Sequence, residues 1–146
     1  MPEQLPQAGP AVRERIQQSF ARQGLMSLLG TRLTHIGPGR VHITLPSRPE
    51  GSQHGYVHAG ATSTIAGGYA ALTLFAEDSE VLTVEYKINL LAPAAGDHLE
   101  AAGIVRKSGR ALTVCQLEVH GVGEDGERKL VTHGQQTLIR VDRSAE

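Results

Sequence analysis

The chain is poor in cysteine, in aromatic residues and in net charge. Its 146 residues hold one cysteine, two methionines and no tryptophan, and aromatic side chains make up 3% of it. Cys115 has no second cysteine to pair with, so an internal disulfide is excluded. It lies in an alternating apolar pattern, which marks it as core filler rather than a reactive thiol. A formal net charge of −1 removes the electrostatic reason to expect a nucleic acid partner. No apolar run approaches the ~20 residues that cross a bilayer. The start, Met1-Pro2-Glu3-Gln4-Leu5-Pro6, lacks the basic and apolar regions of a signal peptide. The expectation is a soluble, cytoplasmic protein with no membrane partner and a single core, as suits this length.

Residues 1–10 carry three prolines and no periodicity, and read as a flexible tail ahead of one domain over 11–142. Val12, Ile16, Phe20, Leu25 and Leu29 recur at helical spacing, with an interruption near Gly24. Val41, Ile43 and Leu45 then alternate with His42 and Thr44 as a strand that Pro46 closes. The segment from Ala59 to Ala76 is rich in Gly and Ala and long enough for four or five helical turns. From Val81 to Ala92 the residues Leu82, Val84, Tyr86, Ile88 and Leu90 share one face of a half-buried strand. Leu99 to Lys107 and Ala111 to His120 form a hairpin through Ser108-Gly109, and Leu130 to Val141 is a last strand. This order predicts an α+β architecture: a curved antiparallel sheet wrapped around one long central helix, with an extra N-terminal helix. The sheet's other face and its edges need cover, which argues for a homodimer or homotetramer.

The chemistry concentrates where Gly55-Tyr56-Val57-His58-Ala59-Gly60 opens the small-residue helix. A helix start gathers free backbone N–H donors and a positive dipole end, which suits it to polarise a carbonyl oxygen. His58 either lines the pocket beside that start or merely orients it. His54 and His58 lie four apart, but no carboxylate or cysteine is near in sequence to complete a ligand set, and Gly55 disfavours a regular helix between them. No metal site is expected. His35, His42, His98, His120 and His133 are scattered and read as surface or satisfied core histidines.

Four segments in fixed order resemble the PaaI-like branch of the hotdog-fold acyl-CoA thioesterases. They are Gly55–Gly60, Gly68-Tyr69-Ala70-Ala71, the run Thr83-Val84-Glu85-Tyr86-Lys87-Ile88-Asn89-Leu90-Leu91-Ala92-Pro93-Ala94, and the Gly109-Arg110 turn. The resemblance implies hydrolysis of an aliphatic or aromatic acyl-CoA, with coenzyme A arriving as part of the substrate and no other cofactor. It implies that the N–H groups of Ala59 and Gly60 polarise the thioester carbonyl beside His58. Thr83 matches a position where relatives carry Ser or Thr near the reacting carbonyl, though Thr is also an ordinary strand residue. Arg106, Lys107, Ser108 and Arg110 surround the turn expected to hold the phosphates of coenzyme A.

One departure stands out. The resemblance implies an Asp or Glu nine positions after the motif histidine, which lands on Gly67. Counting back five from Tyr69 lands instead on Thr64. Neither is a carboxylate, and the two counts differ by three residues, as if a segment like Asp-Ser-Ala were missing after Ala66. Glu77 and Asp78 lie at the far end of the helix. The expected function is an acyl-CoA thioesterase with impaired activity. The alternative is a non-catalytic acyl-CoA-binding or assembly protein on the same scaffold.

Overall fold

The computed structural model describes the backbone of residues 4–47, 52–53, 56–57 and 60–142, and the side chains of residues 4–47 and 62–141. Two N-terminal helices, α1 (Pro10–Ala21) and α2 (Gly24–Leu28), break at Arg22-Gln23, where the apolar periodicity lapses. Strands β1 (Arg32–Gly37) and β2 (Arg40–Pro46) follow, then the two-residue strands β3 (Ser52–Gln53) and β4 (Tyr56–Val57). The central helix α3 (Gly60–Leu72) precedes four long strands: β5 (Ser79–Leu90), β6 (His98–Ser108), β7 (Leu112–Val122) and β8 (Arg128–Asp142). Six of these form one curved antiparallel sheet in the order β1-β2-β6-β7-β8-β5. Helix α3 lies across one face of it, so the architecture is the expected α+β hotdog arrangement. Within the proposed tail, Ala8 is buried and its N–H donates to Ile36 O at 2.9 Å.

The small residues of α3 have a packing role. Ala66, Gly67, Ala70 and Ala71 are buried against the sheet, and Gly103 on β6 meets the α3 backbone directly. A Cβ on Gly103 collides with the carbonyl of Ala66 and the nitrogen of Gly67. Backbone cannot yield as a side-chain tip does, so helix and sheet approach this closely only where both lack bulk.

Two expectations are corrected. Helix α3 ends at Leu72 rather than Ala76. Thr73 Oγ1 bonds back to Ala70 O (2.7 Å) while accepting from Gly39 N–H (2.8 Å). Arg15 of α1 takes the freed carbonyls of Leu72 (3.0 Å) and Phe75 (3.2 Å), a cationic C-terminal cap. The second correction concerns β5. Thr83 pairs with Leu138, but Glu85 pairs with Thr137, so Val84 is an extra residue in a bulge. Paired residues share a face, so Leu82 (opposite Ile139) points away from α3 while Tyr86 (opposite Gln136) points toward it. The five apolar residues therefore do not share one face. β5 is also a sheet edge, and Leu82, Val84, Tyr86 and Leu90 are all more than half exposed there.

On the face turned from α3, His42 and Glu100 tie the strands together. His42 Nε2 accepts from Arg40 Nε at 2.9 Å and His42 Nδ1 lies 3.7 Å from Glu100, which Arg128 holds with both guanidinium nitrogens at 3.1 and 3.2 Å. The His35 ring lies 5.0 Å from that of His42, centre to centre, tilted by 45°. Burial, and then the Arg40 charge, push the His42 imidazole down to about 4. Burial also opposes the charge of Glu100, but the Arg128 hydrogen bond and charge outweigh it and hold the carboxyl below its usual range. The unfolded chain protonates His42 near its ordinary 6.5. Between those values the unfolded state takes up a proton the folded state refuses. Stability is therefore intact above about pH 6.5 and falls as pH drops toward 4, by about 3 kcal/mol from this group. Urea midpoints measured from neutral to about pH 4 should show that slope, and His42→Gln should flatten it.

Candidate active site

α1 docks against α3 through Phe20, whose ring lies 5.8 Å from that of Tyr69, and through Ser19 Oγ, 3.4 Å from the Tyr69 hydroxyl. Between these helices and the first half of β5 lies a cleft of about 790 Å³. The helical period decides which α3 residues face it. Thr64, Ile65, Gly68, Tyr69 and Leu72 line the cleft, a stripe at i, i+1, i+4, i+5 and i+8. Gly67 falls on the other side. A Cβ there collides with Gln136 Oε1 and comes within 2.9 Å of Leu117 Cδ2, whereas a Cβ on Gly68 meets nothing within 4 Å. Of the two counts for the missing acid, the one ending on Thr64 faces the cleft and the one ending on Gly67 faces the sheet.

Thr83 lines the cleft from β5, and Gln136 Nε2 donates to its Oγ1 at 2.7 Å. Gln136 is 1% exposed and its Oε1 has no hydrogen-bond partner among the described residues. Sequence inspection passes over Gln136, because a glutamine in a strand reads as solvent-facing. The available signal is its phase: it sits two residues from Gly134 and Leu138, on the buried side of β8.

The remaining expected residues are placed as follows. His58 and Ala59 lie outside the described residues. Gly60 is the first residue of α3, so its N–H is one of the free donors at the helix start. At the β6–β7 hairpin, Ser108 Oγ is 3.3 Å from Thr113 Oγ1, and Lys107 and Arg110 are exposed. Arg106 is engaged with Gln116 Oε1 at 2.6 Å. Ser108, Thr113, Leu138 and Thr83 form one row across four neighbouring strands. The basic turn is thus at the Thr83 end of the sheet, about 14 Å away at ~4.8 Å per strand. Glu77 lines the far end of the cleft together with Glu80. With ~1.5 Å per residue, the 13 residues of α3 place Leu72 about 18 Å from the helix start, and Glu77 follows in the turn beyond Leu72. Cys115 is buried, its Sγ 3.5 Å from Gly67 O, and burial pushes the thiol up to about 12. It is a packing thiol. Among the described residues no cluster of three His, Cys, Asp or Glu is placed to hold a metal, and no helix is long and apolar enough to cross a membrane.

Known proteins match this arrangement. The thioesterase superfamily model matches residues 54–126. A thioesterase family protein from Silicibacter pomeroyi is 38% identical and superposes with a TM-score of 0.84, covering 90% of this chain and 98% of that one. The PaaI protein of the E. coli phenylacetic acid degradation operon, at 19% identity and a TM-score of 0.74 over 89% of this chain and 93% of its own, shares the fold. A Halobacterium salinarum protein provisionally called an esterase is 28% identical over 71% of this chain and 74% of its own. A cleft lined by α1, α3 and β5, on a sheet that superposes on these proteins, leads to one assignment: the chain belongs to the thioesterase superfamily and has its hotdog fold.

Proposed function

We propose that the chain hydrolyses a small to medium aliphatic or aromatic acyl-CoA to the free acid and coenzyme A. The observation that carries this reading is the cleft between α1, α3 and β5, which Thr64 lines from the helix and Thr83 from the strand. A thioester carbonyl set against the helix start is polarised by free N–H groups and the dipole. Water adds to the carbonyl carbon and loses a proton to solvent, the C–S bond breaks, and the thiolate leaves with the electron pair and takes a proton from solvent. Thiolate departs readily, so polarisation and positioning cover much of the barrier. Lys107, Ser108 and Arg110 suit the phosphates of coenzyme A, at the far end of the sheet row that holds Thr83. The exposed apolar edge of β5 supports a homodimer or homotetramer in which a second copy covers it.

Thr64 stands where a carboxylate is expected, so the reaction runs without a strong general base. That group usually supplies ~10²–10⁴-fold, and turnover should be slow by about that factor. The same observation favours a second reading, a non-catalytic acyl-CoA binder. Thiol release measured over a panel of acyl-CoAs separates them. Slow saturable turnover supports the hydrolase; tight binding of a non-hydrolysable thioether analogue with no turnover supports the binder. Lys107→Glu with Arg110→Glu should raise KM about tenfold at unchanged kcat, as loss of phosphate contacts requires.

A further inference from the structure

Gln136 and Thr83 together settle which proton the cleft receives. Gln136 is fully buried, its amide nitrogen donates to Thr83 Oγ1 at 2.7 Å, and its oxygen is wedged against α3 at Gly67, where only a missing side chain leaves room. A hydroxyl that accepts this bond keeps its own proton for another acceptor. Thr83 is more than a third exposed and faces the cleft, so that acceptor is whatever oxygen the cleft holds. We propose that Gln136 is a positioning residue that fixes Thr83 as a hydrogen-bond donor to the thioester carbonyl oxygen, rather than as an acceptor for the attacking water. The inference rests on the hydrolase reading. It assigns the two hydroxyls different tasks: Thr83 stabilises the developing oxyanion, and Thr64 is left to hold the water.

Kinetics with the full chain test it. Thr83→Val removes an oxyanion donor and should lower kcat about 100-fold. Gln136→Leu frees the hydroxyl to turn away and should lower kcat about tenfold with KM unchanged. The double variant should be no slower than Thr83→Val alone, because the second change acts only through the first. Gln136→Glu keeps the shape but, once ionised, accepts the Thr83 proton. Its kcat relative to wild type should therefore fall at neutral pH and recover as the buried carboxyl is protonated in mild acid. A packing role alone makes the losses multiply and leaves the Gln136→Glu ratio flat with pH, and either result overturns the proposal. Absence of turnover in the wild type defeats the hydrolase reading instead. The relay is then read directly by NMR: the Gln136 side-chain amide resonance should move in Thr83→Val, and an unmoved resonance overturns it.

Discussion

Aspartate at Gly67 should destabilise the protein rather than restore a catalytic acid. Nine positions after His58, Gly67 is the obvious place to reinstall a carboxylate, but α3 turns it toward the sheet. Its first side-chain atom collides with Gln136 Oε1 and presses on Leu117 Cδ2 at 2.9 Å. Over-packing of a tight core costs ~1–3 kcal/mol, and an unpaired carboxylate buried beside Leu117 adds to it. The total is expected to reach at least about 3 kcal/mol, a large share of the 5–15 kcal/mol that usually holds a domain together. Urea denaturation should show Gly67→Asp unfolding well before wild type, with no gain in thiol release. Gly67→Ala should lose less, since the Gln136 tip can yield, and should also weaken the Gln136–Thr83 bond.

Aspartate at Thr64 has the opposite expected outcome. Thr64 is only partly buried and lines the same cleft as Thr83, four residues into α3. At ~1.5 Å per residue that is about 6 Å along the axis from the free N–H groups of the first turn. A carboxylate there is solvated enough to ionise and close enough to take a proton from water attacking a carbonyl held at the helix start. General-base catalysis contributes ~10²–10⁴-fold; a solvated carboxylate is a weak base, so the low end, about 100-fold in kcat, is expected. The kcat profile should also acquire an acid limb near an ordinary carboxylate pKa, which wild type lacks. Thr64→Asn, the same shape without the charge, should gain nothing.

These opposite outcomes at positions three apart show where the sequence was legible and where it was not. The long strands and their order along the chain could be anticipated from period-two alternation and turn residues at Pro46, Gly96 and Gly109, but not the place of β5 at the edge beside β8. The His-Ala-Gly run marked where a site is expected, and of its three residues only Gly60, which opens α3, is described. The phase of that helix did not follow, because two counts from fixed landmarks disagreed and only packing chooses between them. Gly103 chooses: its contact with the Ala66 carbonyl and the Gly67 nitrogen fixes which side of α3 lies on the sheet. The bulge at Val84 was invisible for a related reason. Val84 continues an apolar alternation perfectly well, and the extra residue shows only in the pairing with β8. Gln136 escaped because polarity in a strand suggests solvent, when the residue's phase placed it inside. Glu77 was set aside as remote from the helix start. It does border the cleft, from the turn that follows the C-terminal end of α3.

The most direct measurement is steady-state thiol release from one acyl-CoA by wild type and Thr64→Asp, side by side. A thioester site with its helix start intact and a hydroxyl in place of its base predicts slow, saturable wild-type turnover and a gain of about 100-fold in the variant. No turnover in either protein, or a wild type as fast as the variant, would contradict it.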